Sequence, residues 1–192
     1  MLIDFDWTTV LFCTIIYILL CVFLYRVVKK QKIYFVFSGI MFVYFVTVIK
    51  YTLFPIPVLE ALQTDSYYKI QYIPFVDGIQ MTDVWNVIMT IPFGIGVPFI
   101  VDKVKDMRGV CIAGLLFGII VESIQYMEML LTKGSAMRVI DINDIICNFI
   151  GAVLGFLFLK IFAHLFVKIK EEQLNQFWKY VYKVCRRVCM GQ

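Results

Sequence analysis

Asp141-Ile142-Asn143-Asp144-Ile145-Ile146-Cys147-Asn148-Phe149-Ile150-Gly151-Ala152-Val153-Leu154-Gly155-Phe156 opens a stretch that stays mostly apolar as far as Val167. A bilayer core about 30 Å thick takes about 20 apolar residues as a helix, so residues 145–167 suffice to cross it. Asp144, Asn148, Gly151 and Gly155 recur at i, i+4, i+7 and i+11, one stripe of that helix. Carboxylates and amides are costly in or beside hydrocarbon, so a polar stripe there needs partners or a purpose.

The rest of the chain has the same character. Of its 192 residues 61% are hydrophobic and 17% charged, which excludes a water-soluble domain. Four more segments have spanning length, at about 7–28, 33–54, 84–101 and 109–131. The third of the five spans carries Pro92, Gly94, Gly96 and Pro98, and a kinked or partly unwound helix is expected there. The loop from 55 to 83, with Tyr67, Tyr68, Tyr72 and Phe75, is expected on the membrane surface. Ahead of the first span there is no basic n-region and after it no small-residue cleavage site, so the span reads as retained. The fold class is all-α: a polytopic membrane protein with five transmembrane helices and a C-terminal amphipathic interfacial helix.

Charge placement orients the spans. Arg26, Lys29, Lys30 and Lys32 lie in the first connection and Lys103, Lys105 and Arg108 in the third. The tail adds Lys168, Lys170, Lys179, Lys183, Arg186 and Arg187. Only Lys69, Lys133 and Arg138 fall in the other loops. The positive-inside rule then puts the N-terminus outside and the C-terminus in the cytoplasm. Trp7 and Trp85 fall at the outer interface and Trp178 at the inner one. The basic residues flank apolar spans and form no patch interleaved with aromatics, so nucleic acid is not an expected partner.

In the tail Leu174, Phe177, Trp178, Val181, Cys185 and Val188 recur at helical spacing, with Glu172, Gln176, Lys179, Lys183 and Arg187 on the other face. Such a helix reads as an anchor in the inner leaflet, or as a partner-binding helix. Cys13, Cys21, Cys111, Cys147, Cys185 and Cys189 read as small packing residues rather than a disulfide framework. No histidine stands near the last two in sequence, so zinc is not expected there; lipidation of either is weakly indicated.

Polar residues elsewhere converge on one end of the spans. Counting 1.5 Å per residue from span midpoints puts Asn148 about 12 Å above the midplane, Gln125 roughly 7 Å and Glu122 about 3 Å. Asn86 and Lys50 fall in the same half, and Arg138 and Asp141 in the short loop between the last two spans. Gly114, Gly118 and Glu122 are spaced by four, so spans four and five are expected to pack through their glycines as antiparallel neighbours. Together these residues outline an outward-facing polar pocket.

The ordered series Ile73-Pro74-Phe75, Ile91-Pro92-Phe93-Gly94, Glu122-Ser123-Ile124-Gln125, Arg138, Asp141-Ile142-Asn143-Asp144, Asn148, Gly151 and Gly155 closely resembles the VanZ-like family of small bacterial membrane proteins. The family is named for a member linked to resistance to the glycopeptide antibiotic teicoplanin. The resemblance covers roughly residues 40–160 and divides the chain into 1–39 (first span and connection), a VanZ-like domain at 40–160, and 161–192 (end of the last span and tail). It implies emphasis on Glu122, Gln125, Arg138, Asp141, Asp144 and Asn148, with Pro92 and Gly94. Two stretches depart from the family pattern: Val87-Ile88-Met89-Thr90-Ile91, poorer in leucine and phenylalanine, and the approach to Arg138 through Lys133-Gly134-Ser135, longer than the family pattern has it.

Plainer roles compete for most of these positions. Asn86, Gln125 and Asn148 could be interhelical hydrogen-bond glue. Lys50 could snorkel, and Asp141 and Asp144 could cap the last span. A carboxylate as deep as Glu122 must be protonated, paired or wetted, which favours function. Three function classes remain. One is a cell-envelope protein that lowers susceptibility to glycopeptide or lipoglycopeptide antibiotics by binding an amphiphile: the antibiotic, a membrane lipid or a lipid-linked wall precursor. The second is an enzyme on such a precursor, with Glu122 or Asp141 as base and Arg138 holding an anion. The third is a small transporter, disfavoured by five spans without an internal repeat. No cofactor is implied. The spacing offers no metal-ligand set, although Asp141 and Asp144 could hold a divalent ion weakly.

Overall fold

The structure, a computed structural model, describes residues 2–57, 69–132 and 139–190. Five helices are long and apolar enough to cross a membrane: α1 (Trp7–Arg26), α2 (Lys32–Leu53), α3 (Met81–Ile100), α4 (Met107–Leu131) and α5 (Ile142–Phe166). A sixth, α6 (Gln176–Met190), follows a 3-10 turn at Glu171–Gln173. The chain is an all-α, multi-pass membrane protein. Aspartates start three spans, as short side-chain acceptors do for otherwise unpaired N–H groups. Asp6 accepts from the Thr8 and Thr9 amides at 3.1 and 3.0 Å, Asp106 from Gly109 at 2.7 Å and Asp141 from Asn143 at 2.9 Å. Helix α3 runs without interruption through Pro92 and Pro98, so the partly unwound form its composition suggests is not seen.

Two short strand pairs, absent from the sequence reading, tie the loops at the polar end. β1 (Leu2–Ile3) pairs antiparallel with β2 (Ile56–Pro57), and β3 (Lys69–Gln71) pairs parallel with β4 (Val139–Asp141), with Gln71 opposite Asp141.

The centre of the bundle is a backbone contact between α3 and α5. A Cβ on Gly94 would sit 2.0 Å from the Ala152 carbonyl oxygen; one on Gly151 would sit 2.2 Å from that of Val87, and one on Gly155 2.1 Å from that of Ile91. Small residues let helices in lipid approach until backbones touch. Gly114 and Gly118 of α4 do face α5, at Ala152 and Ile145. The α5 glycines, however, face α3, so the expected glycine-to-glycine packing of α4 on α5 is corrected: α5 offers different faces to the two helices. Helix α1 buries no residue and is held to α2 partly by the stacked rings of Tyr17 and Phe42, 4.4 Å apart.

Helix α6 is amphipathic as its sequence indicates, but its apolar face meets protein. Val181, Val184, Cys185 and Val188 are buried in one continuous cluster with Phe99, Phe156, Leu159 and Ala163. Phe37 of α2 stacks on Phe99 and on Phe177 and Tyr180 of α6. The C-terminal carbonyls of α3 lack helical partners and receive side chains instead. Arg187 donates to Pro98 O at 2.6 Å, the Tyr180 hydroxyl to Phe99 O at 2.6 Å and the Tyr34 hydroxyl to Ile100 O at 3.3 Å. Asp102 accepts from Lys30 at 2.6 Å and Arg187 at 2.5 Å, and these hydrogen bonds hold its carboxyl below the ordinary aspartate range. His164, distant in sequence, brings its Nδ1 to 3.9 Å from the Cys189 sulfur, so the tail does have a histidine beside it in space.

Candidate functional site

At the end opposite Asp102, the candidate polar residues sort into three groups. A hydrogen-bonded chain links α3 to α5 directly above their glycine contact. Asn86 donates to Asp144 Oδ1 at 2.5 Å, and the Thr90 hydroxyl lies between the Asn86 carbonyl oxygen and Asn148 Oδ1, 3.3 Å from the latter. Gly151 makes the room: a Cβ there would meet Thr90 Oγ1 at 2.6 Å. Thr90 and Asn148 are sealed from solvent, and the Asn148 side-chain amide nitrogen has no hydrogen-bond partner among the described residues. The glue role therefore exists for Asn86 and Asn148. Asp144 does not cap α5; that position belongs to Asp141.

Acidic side chains form the second group. Glu122 of α4 is 4% exposed, and among the described residues neither carboxyl oxygen finds a hydrogen bond of good geometry. The charged groups that act on it are the carboxyls of Asp144 and Asp141. A carboxyl buried this deeply beside other carboxyls is expensive unless a proton, a cation or a ligand group neutralises it. Asp83, also buried, accepts from the Gln80 amide at 2.7 Å at the start of α3.

The third group lines an open groove of about 710 Å³ between α2 and α3. Its walls are Tyr44, Thr47, Val48, Tyr51 and Thr52 from α2 and Thr82, Trp85, Asn86, Ile88, Met89 and Pro92 from α3; Gln125 and Asp144 reach in from α4 and α5. Gln125 donates to the Thr52 carbonyl oxygen at 3.0 Å, fixing α4 against the last turn of α2. Apolar and aromatic walls with a few convergent polar groups are the usual make-up of a small-molecule site.

Two candidates stand apart. Lys50 is exposed, its ammonium 5.6 Å from the Tyr51 ring centre and 6.0 Å from that of Phe5. Arg138 lies outside the described residues.

Sequence reasoning missed several contributors. Thr90 stands four residues after Asn86, a spacing that does signal a shared face. Asn143 is buried and accepts from the Phe75 amide at 2.9 Å, tying Ile73-Pro74-Phe75 to the start of α5. Phe75 holds a left-handed φ of 54°, uncommon for a bulky side chain, where this bond is made. Nothing in the sequence distinguishes Tyr44, Tyr51 and Trp85 as groove walls from ordinary membrane aromatics.

A family model described as VanZ/LLP1 matches residues 10–163, from the first turn of α1 to the end of α5. The chain belongs to the VanZ/LLP1 family. No curated protein and no solved structure is significantly similar to it. Every hydrogen-bonded residue of the α3–α5 chain and every groove residue falls inside the family match. Helix α6 falls outside it, so this VanZ/LLP1 chain closes the other end of its bundle with a segment beyond the family region.

Proposed function

We propose that this VanZ/LLP1 protein acts in the bacterial cell envelope and lowers susceptibility to glycopeptide or lipoglycopeptide antibiotics such as teicoplanin, by holding an amphiphile in the groove between α2 and α3. The observation that carries the reading is the groove's composition: aromatic side chains Tyr44, Tyr51 and Trp85 beside Asn86, Gln125 and Asp144. An amphiphile needs both surfaces. Its apolar part leaves the bilayer for the rings at little cost, and its polar part exchanges hydrogen bonds with the amides and carboxylate. The guest is the antibiotic itself, a membrane lipid or a lipid-linked wall precursor. The positive-inside rule puts the groove in the outer half of the membrane, where such molecules meet the antibiotic. Glu122 beside Asp144 favours one second reading, an enzyme on a lipid-linked precursor with a carboxylate as general base.

Expression in a susceptible Gram-positive host tests the proposal. Inhibitory concentrations of teicoplanin and vancomycin are compared with those for an empty vector. The wild-type chain should raise the teicoplanin value. Trp85→Ala should forfeit most of that rise, because Trp85 is 61% exposed and supplies wall rather than core. No rise over the vector, or full activity of Trp85→Ala, contradicts the reading.

A further inference from the structure

At the opposite end of the bundle, α2 and α6 enclose an open groove of about 920 Å³. Lys32 begins α2, and Lys179, Lys183 and Arg186 recur at i, i+4 and i+7 along α6, so all four line one cleft. Glu171 is the one carboxylate lining the cleft, and Glu172 joins it beside Lys179 in the adjoining space. The salt bridges among the described residues at this end engage Lys30 and Arg187 instead, leaving these four without an ion-pair partner there. Ile33 and Val36 continue the lining along α2. Val36, Ile40 and Val43 then follow at i, i+4 and i+7, 47%, 59% and 63% exposed, as an open apolar stripe on a spanning helix.

We infer that this groove is a binding site for the headgroup of an anionic phospholipid whose acyl chain lies along Val36, Ile40 and Val43. Charge complementarity selects the headgroup: four cations from two helices line one open groove with room for a phosphate ester, and basic pockets between helices at the membrane surface hold phosphate esters. The apolar stripe selects a lipid over a soluble phosphate, because it gives the chain below the headgroup a surface continuous with the groove. The site shares no residue with the groove between α2 and α3 and does not depend on it.

The test uses the full chain in neutral detergent micelles, titrated with phosphatidylglycerol and, separately, phosphatidylcholine, with binding read by native mass spectrometry. Phosphatidylglycerol should bind saturably and in preference to phosphatidylcholine. The triple variant K179Q/K183Q/R186Q should lose that binding by roughly tenfold or more. A control, K103Q/K105Q/R108Q, removes the same charge from the same end outside the groove and should bind as wild type does. Lys32→Gln, on the other helix and clear of α6 packing, should weaken binding in the same direction, which keeps the test valid should the triple variant misfold. Equal loss in the control, no loss in the groove variants, or no preference for phosphatidylglycerol overturns the proposal. Displacement by glycerol 3-phosphate at concentrations like those of the lipid also overturns it, assigning the groove to a soluble phosphate.

Discussion

Replacing Gly155 by valine should leave almost no folded protein in the membrane. The added Cβ would lie 2.1 Å from the Ile91 carbonyl oxygen and 2.9 Å from its carbon. Those are backbone atoms in the middle of α3, so no side-chain rotation relieves the clash. The helices must separate, and the separation reaches Gly94 and Gly151, whose contacts are as short. Overpacking in a closed core costs about 1–3 kcal/mol where side chains can adjust, and a rigid backbone neighbour puts this substitution at or above that range. It also pulls Asn86 from Asp144, since that hydrogen bond bridges the same two helices. Gly39→Ala is the control: its Cβ would make an ordinary 3.5 Å contact with the Tyr17 hydroxyl. Membrane levels and thermal melts in detergent should show Gly39→Ala near wild type and Gly155→Val collapsed.

Removing residues 171–192 should destabilise the bundle strongly, although an amphipathic tail read from sequence alone invites the opposite expectation. The deletion takes Val181, Val184, Cys185 and Val188 from the core cluster and uncovers Phe99, Phe156, Leu159 and Ala163. Fully burying a side chain of valine size is worth about 1.5–3 kcal/mol against water, and less against lipid. It also removes the donors to Pro98 O and Phe99 O, about 1 kcal/mol each. The ion pair with Asp102 adds little, because that carboxylate is 59% exposed. A truncated chain should melt well below the full chain, and a double substitution of Val184 and Val188 by Asp should mimic it. A truncated chain as stable as the full one would show that α6 rests on the bundle without supporting it.

The spans were legible because hydrophobic length and the requirement for internal hydrogen bonding leave few alternatives in a bilayer. Their ends fall within a few residues of the helices observed. The 3.6-residue period of the tail was equally clear, yet periodicity says only that one face is apolar. Whether lipid or protein covers that face depends on helices distant in sequence, which is why the contact of α6 with Phe37 and Phe99 was not readable. The same limit explains the glycines. Gly151 and Gly155 mark a face of close approach without naming its partner, and α3 claims it while α4 lies elsewhere on α5. Asp141 and Asp144 are both placed to cap α5; only the position of Asn86 decides between them. Strands of two or three residues carry no usable pattern.

Glu122→Gln distinguishes a site at the polar end of the bundle from hydrogen-bonding glue alone. The substitution keeps the shape of the side chain and its capacity to accept a hydrogen bond. It removes the ionisable group that lies sealed beside Asp144 and Asp141. A structural role would tolerate the amide or gain from it, since an ionisable carboxyl no longer has to be buried. The measurement is the teicoplanin inhibitory concentration in a host expressing the variant at the wild-type membrane level, as judged by quantitative immunoblot. Resistance should fall to the empty-vector value while the protein remains in the membrane. Full wild-type resistance from Glu122→Gln would contradict a site there.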